Sequence, residues 1–209
     1  MAKIRSGVLG NTRGKVSGVV GGQWKDVNYI REYVKPANPN TAAQQTIREK
    51  MQRVVAFCKP LVGPIFNTYT DRFEKSMSGF NRFVKDNLVL FAASPVYASV
   101  KVSVGKLWFG GLLTAPYNDG TGAIVMTFDT SLGNNGAASD VVYAIVYNKD
   151  TGFWYMATGT VLRSTGTITV TAPAGLTYTD LLCWALAAKY SQSIVTMISN
   201  SSYKVAEVT

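Results

Sequence analysis

The chain has 209 residues, of which 47% are apolar and only 16% charged, and its net charge is +9. That length suits one large or two small domains with ample material for a core. Two cysteines and no histidine exclude a secreted disulfide scaffold, His-based acid–base or triad catalysis, and most zinc and iron sites.

The charge is unevenly spread. Residues 1–90 carry 15 basic and 6 acidic side chains, whereas residues 91–209 carry 6 of each. The front half is suited to lie against something negative, such as nucleic acid or an acidic protein surface; a merely solvated basic surface is the alternative. Sparse charge elsewhere implies that neighbours cover part of the surface.

Residues 1–35 read as an extended, basic, glycine-rich arm with short strands or hairpins. Glycines stand at 7, 10, 14, 18, 21 and 22, too many for a soluble helix at about 1 kcal/mol each. Such a stretch buries little and is expected to order against a partner. Its candidate contact residues are Lys3, Arg5, Arg13, Lys15, Trp24, Lys25, Arg31 and Lys35, with Tyr29 and Tyr33 able to stack on bases or to pack against the protein itself. Trp24 to Val34 reads as one or two strands.

Residues 36–94 read as a helical hairpin and linker. Pro36-Ala37-Asn38-Pro39 is a stop and turn, and Thr41-Ala42-Ala43-Gln44 matches a capping box. Ile47, Met51, Val54, Val55, Cys58 and Leu61 then mark one apolar face of a helix, closed by Pro60. Ile65, Phe66, Tyr69, Phe73, Met77, Phe80 and Phe83–Val84 predict a second helix to Asp86, weakened at Gly79, and Leu88–Ser94 reads as a linker.

Residues 95–209 read as an immunoglobulin-like antiparallel β-sandwich, making the chain α+β. The predicted strands are Val96–Val104, Lys106–Leu113, Ala123–Phe128, Val141–Tyr147, Phe153–Val161, Thr165–Thr171, Leu181–Ala188, Ile194–Ser199 and Tyr203–Val208, separated by Gly- and Asn-rich turns. Phe128, Tyr143, Trp154 and Trp184 are core candidates, and Cys58 and Cys183 read as buried free thiols.

No enzyme signature emerges. The acids are scattered, and Gly10-Asn11-Thr12-Arg13-Gly14-Lys15-Val16 lacks both the glycine spacing and the hydroxyl residue of a phosphate loop. No catalytic residue, metal site, cofactor or small-molecule substrate is expected. Neither a signal peptide nor a membrane span appears, so synthesis in the cytoplasm and no membrane partner are expected.

Three stretches carry a resemblance: Gly14 to Lys25, Asn38 to Arg48, and Ser199-Asn200-Ser201-Ser202-Tyr203. With Ser139-Asp140-Val141 and Arg163-Ser164, their order resembles an uncharacterised bacterial and phage family, domain of unknown function number 6266. No activity or site residue follows from that resemblance. It implies a setting among prophage and tailed-phage products. The leading expectation is therefore a virion structural protein (capsid-associated, decoration, connector or tail) that binds its own copies or other virion proteins through the arm. Contact with packaged nucleic acid is a second expectation. A carbohydrate- or cell-binding sandwich, with Trp108, Tyr117, Trp154 and Tyr155 as an aromatic platform, is a third.

Overall fold

The computed structural model describes residues 2–4, 14–24, 27–35, 37, 39–61, 78–191 and 194–208, with backbone alone at 2–4, 23, 24, 27, 194 and 208. It divides into two units, Met1–Ala42 and Ala43–Thr209. Arg5, Arg13, Lys25, Pro36, Asn38 and residues 65–77 of the expected second helix lie outside the described residues.

The first unit is a four-stranded antiparallel sheet of β1 (Ala2–Ile4), β2 (Gly14–Val16), β3 (Val19–Trp24) and β4 (Val27–Glu32), in the order β1-β4-β3-β2. Ser17 and Gly18 form the β2–β3 turn, with Ser17 at a left-handed φ of 52°.

The second unit begins with α1 (Ala42–Cys58), directly after Thr41, and continues through a 3-10 turn, Lys59–Leu61. Helix α2 (Gly79–Asn87) follows; Ser78 caps it, its Oγ accepting from the Asn81 amide at 3.4 Å. Gly79 opens this helix.

Two antiparallel-dominated sheets follow. One is built from β8 (Val141–Asn148), β9 (Trp154–Met156), β10 (Val161–Leu162), β12 (Leu181–Ser191), β13 (Ile194–Ile198) and β14 (Ser202–Val205). The other holds β5 (Leu112–Thr114), β6 (Pro116–Asn118), β7 (Ala123–Phe128), β11 (Thr167–Thr171) and β15 (Glu207–Val208), the last pairing parallel to β6. The chain is α+β, with sandwich-like packing of two sheets.

The β8–β12 pair is buried on both faces. Val142, Ala144, Val146, Leu181, Cys183, Ala185 and Ala187 pack with Ile124, Met126, Phe128, Ile168 and Val170 of the second sheet. The alternate residues, Ile145, Leu182, Trp184 and Leu186, pack with Val54, Phe57, Cys58, Leu61, Phe83 and Phe91. The unit thus has three layers: helices, central sheet, outer sheet. Small side chains face the outer sheet and large ones face the helices, a two-sided use of the strand period.

Phe57 is the hub of the helical layer. Its ring centroid lies 4.7 Å from Trp154, 4.8 Å from Tyr147, 5.0 Å from Phe91 and 6.0 Å from Trp184. Its carbonyl accepts the Trp154 indole N–H at 3.0 Å. Phe91 is buried here, so the stretch Leu88–Ser94 contributes one residue to the core, while Val89 is exposed. Ile47 and Met51, on the predicted apolar face, are exposed; burial starts at Val54.

Four strand predictions need correction; one of them, Tyr203–Val208, divides into β14 and β15, which lie in different sheets. Val96–Val104 is a 3-10 turn at Tyr97–Ser99 and irregular chain, because side chains claim its backbone. Asn87 bonds both Lys101 N and O, at 2.9 and 3.0 Å, and Ser201 Oγ accepts the amides of Val102 and Ser103. Lys106–Leu113 is a strand only from Leu112. Before it, Asn135 bonds Trp108 N and Lys106 O at 2.9 and 2.7 Å. Phe153–Val161 breaks into β9 and β10.

Phe57→Ala should destabilise the chain by about 3–5 kcal/mol, the usual range for emptying a buried aromatic site. Phe57→Leu should cost clearly less, and urea midpoints of the two variants check the order.

Candidate partner-binding surface

Strand register sorts the first unit's residues by face. Lys3 pairs with Tyr29, which pairs with Gly22; Lys15 pairs with Val20, which pairs with Arg31; Trp24 pairs with Val27. Because paired residues share a face and faces alternate along each strand, all of these fall on one face. That face collects Lys3, Lys15, Arg31, Trp24 and Tyr29 and no acid. The other collects Ala2, Ile4, Val16, Val19, Gly21, Ile30 and the acid Glu32.

Lys15 and Arg31 are exposed, two strand spacings or about 10 Å apart. Lys15 Nζ lies 3.6 Å from the centre of the Tyr33 ring, a cation–π contact. Tyr29 lies across Gly22 so closely that a Cβ there would meet its ring at 2.8 Å, which explains the glycine. No residue of this unit whose side chain is described is fully buried.

Of the expected contact residues, the sheet therefore brings Lys3, Lys15, Trp24 and Arg31 to one face. Lys35 is exposed beyond β4. Tyr29 belongs with them, and the alternation Val27, Tyr29, Arg31 is the signal that marks it.

The rest of the chain offers little chemistry. Among the described residues, no group of three or more acidic or Cys side chains could hold a metal ion, and no helix is long and apolar enough to cross a membrane. Burial pushes the Cys58 thiol up to about 11 and the Cys183 thiol up to about 12, so both are protonated at neutral pH and poor nucleophiles. The aromatic platform is not assembled: Trp154 sits in the helical layer, whereas Tyr117 and Tyr155 pack between the sheets.

One charged pair is fully buried. Arg163 Nη2 lies 3.4 Å from Asp140 Oδ2 and donates to Trp108 O at 2.6 Å. Asp140 Oδ2 also accepts the Ala137 amide at 2.8 Å. A Cβ at Gly136 would overlap the guanidinium, so glycine is required there too. The pair ties together three irregular segments and faces no opening to solvent.

A family model described as a family of unknown function (DUF6266) matches residues 11–204. The chain belongs to this family. No curated protein and no solved structure matches it. The segments that carry the family resemblance are joints of the fold. Gly14 to Trp24 is the β2–β3 hairpin, and Asn38 to Arg48 leads into α1. Ser139–Val141 and Arg163-Ser164 meet in the buried pair. Ser199 to Ser202 ties strands and irregular chain together: Ser199 Oγ accepts Ala187 N of β12, Asn200 Oδ1 accepts Gly105 N, and Ser202 Oγ accepts Leu112 N at the start of β5, at 2.8, 3.1 and 3.0 Å.

Arg163→Met should destabilise the fold by about 3–5 kcal/mol, since it strands a buried carboxylate. Pairing it with Asp140→Asn should recover part of that loss. Chemical denaturation of both variants measures the difference.

Proposed function

We propose that this chain is a non-enzymatic structural protein of a tailed-phage particle. It is made in the host cytoplasm and assembles with its own copies or other virion proteins through residues 1–35. The observation that carries this reading is the first unit itself. It is a glycine-rich sheet with no fully buried residue among those whose side chains are described, and its register gathers basic and aromatic positions on one face. Such a sheet gains its order from what covers it. On this reading the strands act as an arm that stiffens on assembly, and Lys and Arg pair with acidic groups of the neighbour. The second unit is the displayed body, an immunoglobulin-like sandwich in the finer classification; the antiparallel pairings within its two packed sheets support that reading.

In the isolated chain, amides of β1 to β4 should exchange with solvent far faster than those of β8 and β12. In purified particles, mass spectrometry should find the chain, and the same amides should be protected. Strong protection in the isolated monomer counts against the reading.

A second reading, contact with packaged nucleic acid, is favoured by one observation: the shared face of Lys3, Lys15 and Arg31 with Trp24 and Tyr29. Three neutralised phosphates would give a slope of about −2.7 in log affinity against log salt on duplex DNA. A flat salt response, or no binding at low salt, removes this option.

A further inference from the structure

We propose that β11 is a self-association edge, through which two copies of this chain pair antiparallel and join their outer sheets into one. β11 pairs with β7 on one side only. Phe128 N donates to Gly166 O at 3.0 Å, and Ala172 N donates to Gly122 O at 2.8 Å. These two bonds set the ladder phase. Residues 166, 168, 170 and 172 bond to β7, and the N–H and C=O groups of Thr167, Thr169 and Thr171 point away from it, toward the open edge. All three threonines are exposed. Of these groups, Thr167 O accepts a 3.3 Å bond from Thr165 Oγ1.

Proteins usually blunt such an edge with a lysine, a proline, a bulge, a short strand or a cover. The other edges among the described residues are blunted in these ways. β1, β2 and β14 carry Lys3, Lys15 and Lys204. β5, β9, β10 and β15 are two or three residues long. β13 pairs with β12 through a bulge at Lys189/Tyr190, and at its end Leu107 N donates to Ile198 O at 2.9 Å. β11 carries no lysine, proline or bulge, and although β8 and β9 of the central sheet pack near it, no described backbone hydrogen bond joins it to them. It is five residues long, its register with β7 runs without a bulge, and Ser164 to Pro173 contains no ionisable side chain.

That neutrality selects a second copy as the occupant. The chain carries +9, so two copies repel wherever their basic regions meet. At β11 they meet without charge. An antiparallel strand is also its own complement across a twofold axis. Centred on Thr169, the pairing sets Thr169 against the same residue of the second copy and Thr167 against Thr171, forming about six backbone hydrogen bonds. Thr114, Thr127, Thr167 and Val125 form the uncharged outer face that continues across the junction.

Sedimentation of the full chain over a concentration series up to about 1 mM, the weak end of specific association, tests this. The wild type should show a reversible monomer–dimer equilibrium. Thr169→Lys places two like charges side by side at the twofold, and Thr169→Pro removes an outward N–H. Each should raise the dimer dissociation constant at least tenfold, and T169K, at an exposed position, keeps the test valid if T169P fails to fold. Val125→Lys, on the same face but on the inner strand β7, should leave the dimer intact. A wild type that stays monomeric throughout overturns the proposal. So does T169K dimerising like wild type, or V125K abolishing the dimer, which would mean the sheets stack by their faces. None of these outcomes bears on the role proposed for residues 1–35.

Discussion

The second unit depends on one constraint: β8 and β12 must be covered on both faces. A strand pair in this position must be apolar where it is covered, and the stretches Val141–Val146 and Leu181–Ala188 carry no charged residue; Asn148, Lys189 and Ser191 stand at the strand ends. Its two faces differ in volume rather than polarity. Ala144, Ala185, Ala187 and Cys183 leave room for Ile124, Met126 and Phe128, whereas Trp184, Leu186 and Ile145 reach toward Phe57. The helices are therefore not an appendage of a sandwich. They supply one of its two covers, and Phe57 fits among the rings that the central sheet presents.

Covering a sheet twice leaves connecting chain with backbone groups to satisfy. Residues 99–111 solve this without a ladder. Asn87, Ser201, Asn135 and Asn200 lend side-chain donors and acceptors to that backbone, and Arg163 adds its guanidinium. Buried backbone must find partners, and here small polar side chains are those partners. This is why the family-resembling serines of 199–202 read as structural joints rather than as a catalytic cluster.

What was legible in the sequence follows the same division. Periodicity revealed α1, and turn residues bracketed β7, β8, β11 and β12 well, because local pattern and tertiary role agree there. Double burial was written in the continuous apolar runs Val141–Val146 and Leu181–Ala188, but a run of that length does not say which neighbour covers each side. Val96–Val104 misled because its apolar residues resemble a strand while its hydrogen-bond partners are side chains and backbone elsewhere: Asn87 for Lys101, and Ser199 and Ser201, nearly a hundred positions away, for Val102 and Ser103. The basic and aromatic residues of 1–35 were visible as a composition. Their sorting onto one face was not, because it rests on the register of Lys3 with Tyr29 and of Lys15 with Val20, which depends on pairing between strands.

The clamp at Ser199–Ser202 has a consequence for how the chain is born. Residues 99–111 leave the ribosome long before the serines and asparagine that hold them exist. Until then the amides of Val102, Ser103 and Gly105 lack these partners, and Phe57 likewise waits for Trp184. The body of this protein cannot close stepwise from its first residue; it must hold an unfinished core in solution and shut in a late, concerted step once the distal end has been translated.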